Sequence, residues 1–396
     1  MKKTKNICEI RCSGVMHYAA TTTTRFLSFA SIITIVSIIF SLQLSAQADW
    51  AIFRGDHQLK ASIQERIPEK PKLLFSFQTE DDIKASPVVK NGIIYCGSED
   101  GFIYAIDFEG NLKWKFNAQN SIEAPAVIID NSVIFGTLDG NFICLNSEEG
   151  DSLWTYKSDN QIIGSANWTK INGHNITAVG SYDYYLHGVD AKTGKGLWKY
   201  ESDNFINGAP ALYKNAAVFG GCDGFLHLVN LENGKLIRKI DVETYVASSP
   251  AISENFAYVG DYDGRFFCVD LEAGKIIWTY DNEEKNLPFI ASPAISEDFI
   301  VIGSDDRNLY CINKETGKLA WNKRLSNRIN SSSVIASEKI ITATMDGMLY
   351  IHKLSDGEEL WKYEIGSQIV SSPAIYDEKI IIGANDGRIY VFGSLP

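Results

Sequence analysis

The chain repeats itself about every 40 residues, and this period constrains the fold more than any other feature. Residues 85–116, "ASPVVKNGIIYCGSEDGFIYAIDFEGNLKWKF", return at 248–280 as "SSPAISENFAYVGDYDGRFFCVDLEAGKIIWTY". The Ser-Pro pair or its equivalent ends at Pro87, Pro125, Ala166, Pro210, Pro250, Pro293, Ser333 and Pro373. A turn Asp recurs at Asp100, Asp139, Asp183, Asp223, Asp263, Asp306, Asp346 and Asp386. A Gly stands four residues before an aromatic slot at Trp114, Trp154, Trp198, Trp278, Trp321 and Trp361, while the fourth unit keeps Gly234 and puts Arg238 in the slot. Three independent markers therefore count eight units.

Each unit reads as four strands. "SPAI" opens the first, "FAYVG" and "RFFCVD" flank an Asp-Gly turn, and "KIIWTY" is the fourth. Asp-Gly between apolar runs is a strong hairpin signal, read here as a type I′ turn with both central residues at positive φ. The i, i+3, i+4 spacing of a helical solenoid is missing. Eight four-stranded units of this length predict an all-β chain, an eight-bladed β-propeller with antiparallel blades. The eighth unit stops at "GRIYVFGSLP" without its Trp strand, while "PKLLFSFQT" (71–79) precedes the first unit and puts Phe75 in the Trp slot. The N-terminal strand is thus expected to close the last blade and remove an exposed edge. The domain plan is 1–48 leader, 49–71 lead-in and 72–396 propeller. The Asp-Gly turns and the connections into each Ser-Pro pair fall on one face, termed the top.

Charge and leader bound the surroundings. The net charge is −12; the first 48 residues carry Lys2, Lys3, Lys5, Arg11 and Arg25 against Glu9, so the rest of the chain is more acidic still. Such a body argues against nucleic acid and anionic lipid as partners. The uncharged run "FLSFASIITIVSIIFSLQL" (26–44), followed by Ala46 and Ala48 in an A-x-A arrangement, reads as a signal peptide cleaved after Ala48, with an uncleaved anchor as the alternative. Met16 is an alternative start. With no Cys at the cleavage site a lipid anchor is not expected, and the mature protein is expected to be periplasmic or secreted, with no transmembrane span, and a monomer.

The units "VDAKTGKGLW" (189–198) and "INKETGKLAW" (312–321) look like the tryptophan-docking repeat of quinoprotein dehydrogenases, and "DWAIFRGD" (49–56) resembles the segment that opens bacterial members of the PQQ-like propeller family. The resemblance covers about residues 49–396. It implies one of two branches: enzymes that hold pyrroloquinoline quinone (PQQ) with Ca²⁺ in the channel, or BamB-type scaffolds of outer-membrane assembly that bind protein without a cofactor. The first branch implies a vicinal Cys pair and long inserted loops, which this sequence lacks; it also has no C-x-x-C-H haem site. The scaffold branch fits better, with a protein or peptide of the cell envelope as partner and no cofactor expected. The missing lipobox Cys separates the chain from the lipoproteins that typify that branch.

Individual residues sort accordingly. The turn Asp residues have a sufficient reason in turn chemistry, and the Trp residues in packing between blades. Loss of Cys8 and Cys12 with the leader leaves five cysteines. Cys144, Cys268 and Cys311 share a third-strand slot with Ala105, Gly188, Leu228, Ile351 and Val391, and with Cys96 they read as small buried hydrophobes. Cys222, in "GGCDG" on the top face, is the candidate accessible thiol. His187 and His227 replace Tyr104, Tyr310, Tyr350 and Tyr390 of other units and read as packed, hydrogen-bonded rings rather than metal ligands. No zinc spacing, phosphate cradle or catalytic triad is evident. The positions where units stop copying each other are the binding candidates: Lys84, Glu123, Trp168, Asn207, Tyr245, Phe289 and Asn330 at the top rim, with the enlarged stretches 167–180 and 281–289. If Trp168, Tyr245 and Phe289 clustered there, a carbohydrate or other small ligand would be a further option. N-x-S/T runs begin at Asn167, Asn175 and Asn330.

Overall fold

The computed structural model describes residues 49–246, 248–281 and 287–395. The leader and its cleavage site fall outside these residues. Every regular element among the described residues is a strand, arranged as eight blades. In the first, Val88–Lys90, Ile93–Gly97, Phe102–Asp107 and Leu112–Asn117 pair antiparallel in sequence order. The next six span 127–157, 167–201, 211–241, 251–281, 294–324 and 334–364. The eighth takes Ala374–Tyr376, Lys379–Ala384 and Arg388–Gly393, and its outer strand is the N-terminal Lys72–Gln78. Phe75 lies opposite Val391 as Trp361 lies opposite Ile351, so the expected ring closure and its register both hold.

The hairpin between second and third strands differs from the type I′ turn expected. Gly101 donates its N–H to the carbonyl of Ser98, and the left-handed residue is Gly101 alone, at φ 84°. The turn is therefore type I followed by one left-handed residue, a common three-residue hairpin loop. Asp100 earns its place by side-chain bonding: Oδ1 accepts from the Phe102 N–H at 2.8 Å, and Oδ2 accepts from the Tyr104 hydroxyl at 2.6 Å. Asp386 repeats this with Arg388 and Tyr390, and Asp139 braces Thr137 and Asn141. Asp263 departs from the pattern. Its carboxyl is largely exposed, and Asp261 takes the backbone N–H groups of Asp263 and Arg265 instead. His187 and His227 are fully buried, each held between the turn Asp and a Tyr: His187 by Asp183 and Tyr156, His227 by Asp223 and Tyr200.

Neighbouring blades lock together at two repeated places. At the outer bottom, the indole N–H of Trp114 donates to the carbonyl of Ser147, Trp154 to Ala191, Trp198 to Leu231, Trp278 to Lys314 and Trp321 to Leu354, each reaching the next blade at 2.9–3.2 Å. Beneath each ring lies that blade's left-handed Gly. A Cβ on Gly150 would come within 2.6 Å of Trp114, so a side chain there is excluded twice over. Trp361 instead packs against Tyr363 of its own blade and Phe392 of the last blade. Higher up, a Cβ on Gly136 would sit 2.1 Å from Ile162, which is why the second strand ends in Gly. Near the axis the Ser of the Ser-Pro pair forms a belt: the Ser249, Ser292, Ser332, Ser372 and Ser86 hydroxyls each accept the backbone N–H of the preceding blade.

The lead-in does more than precede the ring. Its carbonyls take the backbone N–H groups of the channel-lining strands in turn: Trp50 from Val89, Ala51 from Ile128, His57 from Leu212, Gln58 from Ile252, Lys60 from Ile295 and Ala61 from Ile335. At the third blade the Asn167 side chain substitutes, donating to the His57 carbonyl and pairing with its ring. Ser62–Ile63 then runs parallel to Val334–Ala336 as a fifth strand of the seventh blade. The segment thus winds once around the lower channel and satisfies N–H groups that the inner strands would otherwise leave unpaired. Arg54 is buried within this coil, its guanidinium donating to the carbonyls of Ser333 and Pro293 at 2.7 and 2.6 Å.

Candidate functional site

With the lower channel filled by the lead-in, the variable chemistry lies at its upper mouth. Two positions per blade contribute there. One follows the apolar residue that abuts the strand-ending Gly: Lys84, Glu123, Ile163, Asn207, Ile290, Asn330 and Val370. The other precedes the turn Asp: Glu99, Leu138, Tyr182, Cys222, Tyr262, Asp305, Met345 and Asn385. The second set is fixed because each backbone N–H bonds to the connection entering its own blade, as Glu99 does to Asp82 and Tyr262 to Tyr245.

The two sets interlock. Lys84 Nζ lies 2.6 Å from Glu99 and 3.0 Å from Glu123 of the next blade. Burial alone would lower the Lys84 pKa, but the hydrogen bonds to both carboxylates outweigh it and raise it well above the usual lysine range. Burial pushes Glu123 up, with Lys84 opposing. Asp82, raised by burial and then by Glu99, accepts from Asn385 Nδ2 at 2.9 Å. Asp305 is also raised by burial, with Arg328 at 3.9 Å opposing. Two connections further round from Glu123, Asn207 Nδ2 donates to Cys222 Sγ at 3.3 Å, and burial raises the thiol, so Cys222 is protonated near neutrality. Tyr182 packs on Phe205 with centroids 4.7 Å apart and planes tilted by 31°, and Tyr184 meets the same ring at 5.1 Å. The Tyr182 hydroxyl is raised by burial first, then by Cys222, Tyr262 and Glu123, so each of these three groups acts electrostatically on Tyr182. Four acceptors of the mouth, the Oδ1 atoms of Asn207, Asp305, Asn330 and Asn385, are buried without a hydrogen-bond partner.

Of the rim residues expected from sequence, Lys84 and Glu123 meet directly, and Asn207 and Asn330 occupy equivalent mouth positions. Tyr245 is 55% exposed on the connection entering the fifth blade. Two expectations require correction. Phe289 is buried, filling against Gly260 the space that Ile fills in other blades. Trp168 lies in the inner strand Asn167–Ile171 and packs on the lead-in, its ring 5.3 Å from His57. The aromatic rim of Trp168, Tyr245 and Phe289 does not form. Apart from Cys222, the residues before the turn Asp were missed, although a variable position between two repeated markers was a usable signal. Cys222 is half-buried at the mouth, while Cys96, Cys144, Cys268 and Cys311 are buried free thiols, with Cys144 pushed up to about 11 and Cys268 and Cys311 to about 12, in each case chiefly by burial.

The mouth tests the fit of PQQ. That cofactor is a tricarboxylate, and here, among the described residues, two cations, Lys84 and Arg328, face four carboxylates, Asp82, Glu99, Glu123 and Asp305. Lys84 is already shared by two of them. Among the described residues no group of three or more His, Cys, Asp or Glu side chains is placed to hold a metal ion, and the nearest thiol to the mouth, Cys222, has no adjacent cysteine. The donor set therefore does not fit PQQ with Ca²⁺.

Fold and mouth together define an eight-bladed propeller with a filled lower channel and a polar, aromatic upper opening. The chain belongs to the PQQ-like propeller family: the family model described as outer membrane protein assembly factor BamB matches residues 182–297 and again 288–394. Over 134 residues the chain is 28% identical to the quinoprotein alcohol dehydrogenase PedH of Pseudomonas putida, a stretch covering 30% of this chain and 22% of that enzyme. Among solved structures, BamB from Moraxella catarrhalis superposes with a TM-score of 0.71 at 17% identity, covering 82% of this chain and 98% of that one. Quinohemoprotein alcohol dehydrogenase from Comamonas testosteroni gives 0.74 at 15% identity, covering 88% and 81%. At these identities the structural likeness establishes the fold. No helix among the described residues is long and apolar enough to cross a membrane.

Proposed function

We propose that this chain is an exported, monomeric, non-enzymatic scaffold that binds a protein or peptide of the cell envelope on its top face. The observation that carries this reading is the composition of the mouth: carboxylates outnumber cations where a tricarboxylate cofactor would have to sit. Beside them Tyr182, Tyr184, Phe205, Tyr245 and Tyr262 present half-buried to exposed rings, and Tyr-rich surfaces are enriched at protein interfaces. Tyr184 also holds φ 75° where six blades use Gly, a strained placement for an exposed ring. The leader at 1–48 supports export, and the mature chain is expected to begin at Asp49.

The test is photo-crosslinking from Tyr184 and Tyr245 positions in intact envelopes, with Leu153 on an outer blade strand as control. A single dominant adduct from the top-face positions supports the scaffold. Saturable, equimolar binding of PQQ in the presence of Ca²⁺, followed by Trp fluorescence, would replace it with the quinoprotein reading that the PedH likeness favours.

A further inference from the structure

The proposed scaffold leaves open what chemistry a partner must present, and the mouth carries a specific answer. The Tyr182 and Phe205 rings meet with centroids 4.7 Å apart and planes tilted by 31°, and the Tyr182 hydroxyl also feels the charge of Tyr262, two blades further on. Glu123, on the connection one blade back, lies within electrostatic reach of the Tyr182 hydroxyl. It shares Lys84 with Glu99, so this pair of carboxylates keeps a surplus negative charge. Asn207 Oδ1, on the amide held by Cys222, is buried without a donor. Aromatic faces, a surplus carboxylate and an unpaired carbonyl acceptor share one complement, a cation rich in N–H donors. A guanidinium meets all three demands, since it stacks on rings and forks its donors onto oxygen acceptors, whereas an ammonium offers only a compact point charge.

We propose that the mouth between the second and fifth blades captures one arginine side chain of the partner, presented on an extended segment lying across the top face. This rests on the scaffold reading above and names the recognition chemistry of that face. The aromatic walls supply the stacking contact, Glu123 the counter-charge and Asn207 the neutral acceptor.

The experiment uses the purified chain and three otherwise identical fluorescein-labelled octapeptides with arginine, citrulline or glutamate at the centre, followed by anisotropy. Citrulline keeps the shape and removes the charge. The expected result is saturable binding of the arginine peptide, roughly tenfold weaker binding of the citrulline peptide and none of the glutamate peptide. Glu123→Gln and Tyr182→Leu should each bring the arginine peptide down to the citrulline level without moving the thermal midpoint by more than a few degrees. Equal affinity for arginine and citrulline, or indifference to both variants, overturns the proposal. Free argininamide binding as tightly as the peptide also overturns it, because the site would then serve a small molecule. Failure of every peptide while top-face crosslinking still traps a partner sinks the arginine proposal and leaves the scaffold standing; failure of both sinks the scaffold.

Discussion

His352 should make this propeller acid-sensitive in a window where most carboxylates have not yet titrated. It lies in the third strand of the seventh blade, opposite Ile340 on one side and Glu359 on the other. The corresponding residues in other blades are apolar, among them Ile106, Val189, Val269 and Phe392. The ring is 2% exposed, stacks on Tyr350 at 5.5 Å, and leaves Nδ1 buried without a partner. Burial lowers its pKa to about 4, with Glu359 raising it and Lys323 of the preceding blade lowering it further. An unfolded histidine titrates near 6.5. Because the folded value is the lower one, the unfolded chain takes up the proton first as pH falls. Stability is full above about pH 6.5 and is lost progressively down to about 4, by up to roughly 3 kcal/mol for a shift of this size. Replacing His352 by Leu removes both the titrating ring and its orphaned nitrogen. Urea unfolding between pH 8 and 4.5, followed by tryptophan fluorescence, should give two curves that separate as pH falls. The variant should be the more stable at pH 4.5 by most of that 3 kcal/mol beyond any difference at pH 8. Parallel curves would refute the reasoning, because carboxylates common to both proteins cancel in the comparison.

Asp183 works at more acid pH. Burial raises its pKa, but the hydrogen bond and charge of His187, with backbone N–H groups, win and lower it to about 2. Its contribution is present above about pH 4 and lost as pH falls toward 2, so Asp183→Asn should flatten the acid limb there by about 2 kcal/mol. Gly136→Ala should cost about 2–3 kcal/mol by driving a methyl into Ile162, and adding Ile162→Ala should recover part of it; strict additivity would exclude the clash as the cause. Arg54→Ala should destabilise by about 3 kcal/mol through two lost charge-assisted bonds and a cavity. Amide exchange should speed at Ile252, Ile295 and Ile335, whose N–H groups bond the lead-in, and stay unchanged at Gly101 and Gly347.

The parts of this molecule that a sequence discloses are those where one contact is made many times. Gly97, Gly136, Gly180, Gly220, Gly260, Gly303 and Gly383 recur because each must admit the side chain of the next connection. The Trp slot and the left-handed Gly recur because each ring needs a bare backbone beneath it. Even the closing strand is legible, since Phe75 completes a series that the eighth unit leaves short. Phe289 shows how the same logic is missed when the slot holds an unusual residue. It stands four residues before Pro293, the regular spacing, but as a Phe in a series of Ile and Val it reads as a variable rim residue. The usable marker was the apolar residue four before most Ser-Pro ends, Ile83, Ile162, Ile206, Val246, Ile329 and Ile369, in whose series Phe289 belongs.

What a repeat cannot disclose is the element that occurs once. The lead-in has no copy to be compared with, and its path is set by a ring of inner-strand N–H groups contributed by residues up to 280 positions away. Three of its non-glycine residues, Arg54, Leu59 and Ala61, sit at positive φ, which no local propensity favours. They are held there because the alternative is a larger set of buried, unpaired donors, six inner-strand N–H groups against three dihedrals of similar cost each. The same physics separates the two ends of the channel. Below, the ring's demand for acceptors is met by the lead-in, whose carbonyls take the inner-strand N–H groups. Above, the unpaired atoms are acceptors instead, and the chain supplies too few donors among the described residues to meet them. A partner that binds this propeller at its upper mouth must therefore bring N–H groups with it.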